Sequence, residues 1–432
     1  MLKELSNNFY FWFYNSLLSF IFLGFFVIEP WRAVLGDAEI TNSLDIVFYW
    51  IVTALVFNLI FYIKGFSYLK KIKVSFKKLF LFFILLNLVL MFIWPAGSND
   101  SFSYIYQSRL ISHHQVNPYI DTYSNFEHDS FFKEINNKWS ARTAPYGPIF
   151  LALGGLLTWL GGNSLILTLF LFKLVMVIAN ILCAWLVYKV FDSIKVFYLY
   201  AFNPFILFEF AINAHNDVLL VLFVVLSLGF LLKNNWQGKA WAIGFFIISL
   251  LLKFYSLVLL PFIVFRGVLD LKLRKDKLKL IFSGLFFLAV LPTISFWWLA
   301  DSFQTALSPL LSQSKVMGAI SPVIWLFNKV AEMPMGTAIM LSKSLFVIIF
   351  ALVLVAWLYE KIKLNLYFIL AIVLTIFYLT CFTWFMPWYL IFLLIFLIAG
   401  YATAKDTVVS KLSLWFIYFI SFWGIIYYIV LR

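Results

Sequence analysis

The sequence predicts an all-α fold, a polytopic membrane helix bundle of about 11–13 spans. Two observations carry this. The 432 residues are 64% apolar and 21% aromatic but only 12% charged, whereas an average soluble domain is roughly 45–50% apolar and 25% charged. The apolar residues are also gathered into runs near the ~20 needed to cross a bilayer, with basic clusters between them. A soluble core of this chain length could not hide 53 Phe and 17 Trp. No long polar tract interrupts the runs, so 1–432 reads as a single integral-membrane domain.

The elements follow in order. The run 10–29 is longer than a signal-peptide core and lacks a small-residue cleavage site, so it is expected to stay as the first span. Runs at 46–64 and 79–95 follow, separated by Lys70, Lys71, Lys73, Lys77 and Lys78. Residues 97–162 form the first large outer loop, and its apolar piece 148–160 (PIFLALGGLLTWL) reads as interfacial or re-entrant. Spans are expected at 163–190, 196–212 and 217–232. The run 239–266 reads as two short helices meeting near Lys253, because a lone Lys is costly at the bilayer centre. A span at 279–299 precedes the second outer loop, 300–336, with its Pro-broken SPVIWLFNKVAEMPM. Runs at 337–358, 365–384, 387–402 and 412–431 complete the chain.

The positive-inside rule places the first Lys cluster, Arg266 through Lys279, and Lys361 with Lys363 on the cytoplasmic side. That accounts for the net charge of +13 without nucleic acid, since such loops face anionic headgroups. Cys183 and Cys381 both lie in apolar runs, so neither a disulfide framework nor a CxxC metal site is expected.

With this topology the polar residues gather on the outer face: Asp100, His113, His114, Glu127, His128, Asp129, His215 and Asp217, with Arg109, Arg142 and Lys253 as cationic counterparts. Each has a plain structural reading as well. Asp100 can be a solvated helix flank, His215–Asp217 a capping turn, and Lys253 a side chain that snorkels to the interface. Lys173 and Glu209, inside spans, can pair internally. The residues His113, His114, Glu127, His128 and Asp129 can hold a divalent ion, although their spacing matches no tight zinc pattern. No cofactor is required by the chemistry that fits best, which is sugar transfer from a lipid-linked phosphosugar. There a carboxylate at the interface takes the proton of the attacking hydroxyl. The leaving phosphate is already a stable anion, and a nearby cation stabilises its developing charge.

Five segments resemble the GT-C integral-membrane glycosyltransferases that use polyprenyl-phosphate sugars, above all the bacterial polyprenol-phosphate mannosyltransferase-like branch. They are SNDSFSYIYQSRLISHHQVNPY, APYGPIF (144–150), FNPFILFEFAINAHND (202–217), LLKFYSLVLLPF (251–262) and FMPWYLIFLL (385–394). The resemblance implies a GT-C fold with re-entrant outer-loop helices and a plasma-membrane location with the site on the extracytoplasmic face. It implies Asp100 as the base of an inverting transfer of a hexose, mannose in the first place, from a polyprenyl-phosphate donor to a lipid or glycan acceptor. Lys253, with Arg109 and Arg142, would bind the donor phosphate. Tyr104, Asn117, Tyr119, Tyr146, His215, Asn216 and Asp217 would line the sugar or acceptor pocket. The sequence departs from the pattern in two loops: Ala214 stands where Gly is usual, and the usual Gly before Asn-Pro-Tyr is replaced around His114-Gln115.

Two other classes compete. A lipid-linked glycan polymerase or ligase would place key Arg and His residues in a later, larger loop, and 300–336 contains neither. A multi-span transporter would show a repeat and charges near the midplane, and the sequence shows no clear repeat.

Overall fold

The computed structural model describes residues 2–26, 44–135, 139–314, 317–359, 364–404 and 407–430. The basic pair Lys361 and Lys363 lies outside the described residues. Among the described residues every regular element is helical and none is a strand. In chain order the helices used below are α1 (Leu2–Phe26), α2 (Leu44–Leu69), α3 (Phe76–Leu90), α4 (Asp100–Ser112), α5 (Pro148–Gly161), α6 (Leu165–Phe191), α7 (Ile194–Ala201), α8 (Pro204–Leu207), α9 (Asp217–Leu231), α10 (Trp236–Leu252), α11 (Leu260–Leu269), α12 (Arg274–Phe296), α13 (Phe303–Ser314), α14 (Met335–Leu358), α15 (Leu366–Thr380), α16 (Leu390–Thr403) and α17 (Thr407–Val430).

Five of the described helical segments are long and apolar enough to cross a bilayer alone, and a sixth arises if α7 and the 204–212 segment, bent by 50°, count as one span. Six further apolar helices are shorter, at 10–17 residues. A 15-residue helix rises only about 22 Å, less than the ~30 Å hydrocarbon core. By length alone the count is therefore below the 11–13 expected, because several apolar runs are broken. Helix α12 buries only 6% and α14 only 11% of its best apolar window inside the protein. Their apolar side chains thus face outward, as a span in lipid requires.

The breaks have local causes. Asn203 ends α7: its side chain accepts from Phe205 N (3.0 Å) and donates to Ser421 on α17 (2.7 Å). Pro204 then restarts the helix, which relaxes into a π turn over Phe208–Ile212. The run 239–266 is broken as the cost of an intramembrane Lys predicts. Helix α10 stops at Lys253, which is extended (φ −156°, ψ 123°), and a 3₁₀ turn over Phe254–Leu259 leads into α11.

Each break frees backbone groups that must be satisfied away from water. Lys173, fully buried on α6, donates to the carbonyls of Ile93 (2.6 Å) and Ile212 (2.5 Å). It thereby joins the end of the third apolar run to the end of the π turn. Asn213 strengthens the joint: its Oδ1 accepts from Ala96 N (3.1 Å) and Gly97 N (3.0 Å), and its carbonyl accepts from Ser101 Oγ (2.5 Å). So the loop that opens α4 lies directly against the loop that opens α9.

A second joint brings α5 to the α10 break. Gly147 N donates to Leu252 O (3.1 Å). A Cβ on Gly147 would lie 2.0 Å from the Leu251 carbonyl oxygen, so only glycine allows this approach. From there α5 runs alongside α4 in the same direction, with Ser112 Oγ 2.8 Å from Thr158 Oγ1.

Both departures from the glycosyltransferase pattern fall on left-handed backbone: φ is 54° at Gln115 and 56° at Ala214. A left-handed conformation costs a non-glycine residue roughly 1–2 kcal/mol. Ala214 is buried, so its methyl group recovers part of this by packing, whereas Gln115 is exposed. Gln115→Gly is therefore expected to raise stability by about 0.5–1 kcal/mol, after allowing for glycine's freer unfolded chain. Ala214→Val, β-branched at positive φ, should cost more than about 2 kcal/mol. Thermal unfolding of the purified variants in detergent checks both, and a Gln115→Gly protein less stable than wild type would contradict the strain argument.

Candidate active site

The two joints collect side chains from five separate segments. Asp100 stands at the N-terminus of α4. Its Oδ2 is 3.7 Å from His215 Nδ1. Tyr104, one turn along the same face, reaches His215 Nδ1 (3.3 Å) and donates to Asn216 Oδ1 (3.2 Å). Asp217, fully buried at the start of α9, accepts from Lys253 Nζ (2.7 Å) and from Tyr255 OH (2.9 Å). Lys253 also donates to Asn216 Oδ1 (3.2 Å) and lies 5.1 Å from the centre of the Tyr389 ring. Tyr146 packs edge-on against Tyr104 at 5.1 Å. Trp388 stacks on His215 at 4.1 Å, with the ring planes 22° apart.

Electrostatics separates the two carboxylates. Asp217 has its cation. Asp100 has 27% of its side chain accessible, yet its surroundings are apolar rings and buried polar groups rather than bulk water. Burial pushes its carboxyl up to about 6, opposed by the Lys253 ammonium and a bond with Ser98, with the Asp217 charge adding to the rise. A carboxyl with that value is largely ionised at neutral pH and still able to hold a proton.

Seven of the expected site residues thus come together: Asp100, Tyr104, Tyr146, His215, Asn216, Asp217 and Lys253. Asn117 and Tyr119 act beside this cluster rather than in it. The Asn117 amide donates to the Leu299 carbonyl and its Oδ1 accepts from Tyr119 N (2.9 Å). Tyr119 OH donates to the Tyr146 carbonyl (2.9 Å), which helps hold Tyr146 in place. Arg142 is exposed, its guanidinium 5.1 Å over the Trp139 ring.

Arg109 is engaged elsewhere. Nine residues beyond Asp100 on α4, it is about 13 Å along the helix from that carboxylate. Its Nε is 3.0 Å from each oxygen of Asp129 and its Nη1 donates to the Gly162 carbonyl (2.8 Å). Both partners are buried, at 2% and 1% exposure. Asp129 also accepts from Tyr123 OH (2.8 Å) and lies 2.7 Å from His114 Nε2. Burial pushes the Asp129 carboxyl up, but bonds from Arg109, Phe131 N–H and Tyr123 outweigh it and hold it below the ordinary value. This network clamps the loop that follows α4 to α4 itself and to the end of α5. Among the described residues no group of three or more His, Cys, Asp or Glu is arranged to hold a metal ion. His113 and His114 turn instead to Arg109 and Asp129.

The residues that sequence reasoning did not place here are Tyr255, Trp388, Tyr389 and Glu209. Tyr255 lies two residues from Lys253, and Trp388 and Tyr389 lie in FMPWYLIFLL, so both signals were in segments already singled out. Glu209 does pair internally, with His215 Nε2 at 3.2 Å.

Because Arg109 and Asp129 neutralise one another in a buried pair, removing one partner leaves the other charge uncompensated, at a cost of about 3–5 kcal/mol. Arg109→Met is expected to lower stability by that order. The Asp129 pKa is depressed in the folded chain, so the pair's contribution is present above the ordinary carboxylate range and is lost as pH falls through the folded value. Unfolding midpoints of wild type and variant at pH 7 and in mild acid test this. Equal stability at pH 7 would exclude the clamp.

The chain matches the family described as "Alpha-(1->6)-mannopyranosyltransferase, N-terminal domain" over residues 26–268, more than half of its length and including four of the five site segments. It is 24% identical over 198 residues to alpha-(1->6)-mannopyranosyltransferase A of Corynebacterium glutamicum, covering 43% of this chain and 39% of that protein. It is 24% identical over 187 residues to alpha-(1->6)-mannopyranosyltransferase A of Mycobacterium tuberculosis, covering 42% of this chain and 35% of that one. The matched stretch thus spans well under half the length of either relative. No solved structure matches. The chain belongs to the alpha-(1->6)-mannopyranosyltransferase family of GT-C type membrane glycosyltransferases.

Proposed function

We propose that the protein transfers mannose from a polyprenyl-phosphate donor to a lipid- or glycan-linked acceptor at the extracytoplasmic face of the plasma membrane, with inversion at the anomeric carbon. The observation that carries this reading is the meeting of Asp100 with the Lys253–Asp217 pair in one aromatic-walled cluster. The relatives' name gives the finer expectation of an α-(1→6) linkage.

Asp100 is the general base. The acceptor hydroxyl attacks the anomeric carbon while its proton passes to the Asp100 carboxylate. The new C–O bond forms on the face opposite the phosphate, so one displacement inverts the centre. The bond to the phosphate breaks and its electron pair leaves with the lipid phosphate. Lys253, 12% accessible and already paired with Asp217, lends its charge to the developing anion. In that partly dry setting the attraction exceeds its value in bulk water. Asp217 and Tyr255 hold the ammonium in place, so little reorganisation accompanies the reaction. Tyr104, Tyr146, Asn216 and His215 line the sugar or acceptor side, and Asn117 and Tyr119 support Tyr146. Arg142, exposed at the rim, is left to meet the donor headgroup as it enters, whereas the clamp on Asp129 makes Arg109 a support for the loop. The apolar spans around the site take the lipid tail.

Asp100→Asn is expected to lower turnover by about 10²–10⁴-fold while leaving donor binding intact, since an amide keeps the shape but cannot take the proton. Wild-type activity should fall as pH drops through about 6, where Asp100 protonates. The same raised value carries a stability sign. Holding the charged carboxylate costs stability above pH 6, and that cost is relieved as pH falls toward the ordinary carboxylate value. The Asn variant should therefore be the more stable protein at pH 7.5, with the gap closing near pH 4. Mannose transfer and unfolding midpoints across pH measure both. Residual turnover above about a tenth of wild type would remove Asp100 from the role of base.

Lys253→Ala should raise the apparent KM for polyprenyl-phosphate mannose and lower kcat, with the acceptor KM little changed. Lys253→Arg should restore activity only in part, because the planar fork does not reproduce a compact point charge bonded to Asp217 and Asn216 at once. Donor titration at saturating acceptor decides this. An unchanged donor curve would move the phosphate site away from Lys253.

A further inference from the structure

We propose that Glu209 is a positioning residue for the transfer: it holds His215 with a free Nδ1 toward Asp100, so that the imidazole takes over the proton Asp100 removes from the acceptor. The inference rests on the reading of Asp100 as base.

The hydrogen-bond directions around Glu209 support it. Asn213 Oδ1 accepts from two backbone N–H groups, so its Nδ2 must be the donor to Glu209 Oε2 (3.1 Å). Tyr428 OH, on α17, donates to Oε1 (2.7 Å). Both oxygens therefore act as acceptors, which suits a carboxylate. The buried His215 Nε2 lies 3.2 Å from Oε2, within ion-pair reach, and makes no hydrogen bond to any other group among the described residues. Facing an acceptor, Nε2 is the nitrogen that carries the proton of the neutral ring, and Nδ1 is left with its lone pair. Trp388, stacked on the ring, fixes its plane. Nδ1 looks toward Asp100 Oδ2 at 3.7 Å. Tyr104 OH is also near, but its proton has an outlet in Asn216 Oδ1 (3.2 Å).

The groups facing His215 are Asp100 and Tyr104 from α4, Glu209 from the π turn, Asp217 from the start of α9 and Lys253 from the α10 break. Tyr428 from α17 acts one bond further out, through Glu209, and Lys173 from α6 is bonded to the Ile212 carbonyl at the end of the π turn. Burial, and then the Lys253 charge, keep the ring neutral at rest, so a proton on Nδ1 is held only in passing, while the Glu209 carboxylate stands beside the ring.

The balance is complete. The acceptor oxygen forms its bond to the anomeric carbon, and its proton moves to Asp100 Oδ2. The phosphate leaves with the electron pair of the broken bond. The proton then passes from Asp100 to Nδ1, and the imidazolium pairs with Glu209 until product leaves. It returns to water through the accessible edge of Asp100.

The test is the rate–pH profile of Glu209→Gln in nanodiscs, with polyprenyl-phosphate mannose as donor and octyl mannoside as acceptor. The amide keeps the size of the side chain and removes its charge. The expected result is a kcat lowered about ten- to a hundredfold with both KM values within about twofold. The acid limb should move down by about one pH unit, because the Asp100–His215 unit binds its first proton less tightly without the carboxylate. A purely structural role would lower the unfolding midpoint and move neither the limb nor the split between kcat and KM. His215→Gln, which leaves Glu209 bonded to Tyr428 and Asn213, serves as the second variant and should show the same kcat loss. A raised KM there with kcat unchanged would confine His215 to lining the pocket and overturn the relay. Wild-type kcat in both variants, with Asp100→Asn inactive, would remove the relay and leave the base. An active Asp100→Asn protein would instead remove the base reading itself.

Discussion

The structure depends on one constraint, that a helix broken among apolar side chains must find partners for the backbone groups it releases. Lys173 meets it at two breaks at once, through the carbonyls of Ile93 and Ile212. Asn213 meets it for two more, the Ala96 and Gly97 N–H groups, while the Ser101 hydroxyl in turn satisfies the Asn213 carbonyl. The consequence is geometric. Two loops more than a hundred residues apart in sequence are held in register, and Asp100 comes to stand beside His215. Had Lys173 and Asn213 been apolar, the same breaks would leave unpaired groups, each costing on the order of kilocalories.

The charges in the site are arranged by partner rather than by proximity alone. Asp217 and Lys253 satisfy one another, with Tyr255 and Asn216 filling the remaining directions. Asp100 has no cation of its own, so burial dominates and its proton affinity rises. Two carboxylates a few residues' breadth apart thereby take different duties, one fixing the cation and the other open to a proton. The Arg109–Asp129 clamp is a third arrangement, in which neither charge is left over for chemistry. An arginine in the middle of a signature segment is thereby bonded within its own loop, to Asp129 and the Gly162 carbonyl.

Strain is present where the chain lacks glycine. Gln115 and Ala214 adopt left-handed backbone at the ends of α4 and of the π turn, one in each signature loop. At Gly147 glycine is retained, and there the reason is space: the Leu251 carbonyl occupies the position a side chain would need. Left-handed geometry can be forced on another residue at modest cost, whereas a 2.0 Å overlap with backbone cannot.

The sequence by itself determined the helical class, the order of the apolar runs, and the break at Lys253. These are short-range matters, set by the hydropathy of consecutive residues and the cost of a charge among them. It also picked out Asp100, His215, Asp217 and Lys253, because ionisable residues are conspicuous against so apolar a chain, whereas Tyr104, Tyr146 and Asn216 came only from the resemblance of their segments to the glycosyltransferases. The number of full-length spans was not legible in this way, since a break such as that at Asn203 depends on a side-chain cap and on Ser421 over two hundred residues later. Only the tertiary structure decided which charges neutralise one another. Arg109 and Lys253 look alike as cations near a signature, but one meets Asp129 across a folded loop and the other meets Asp217 across a helix break. Glu209 reads as one more intramembrane carboxylate until α17 brings Tyr428 to it and the π turn aims it at His215. Pairings of this kind fall off within a few ångströms, so residues distant in sequence acquire them only when the helices have packed.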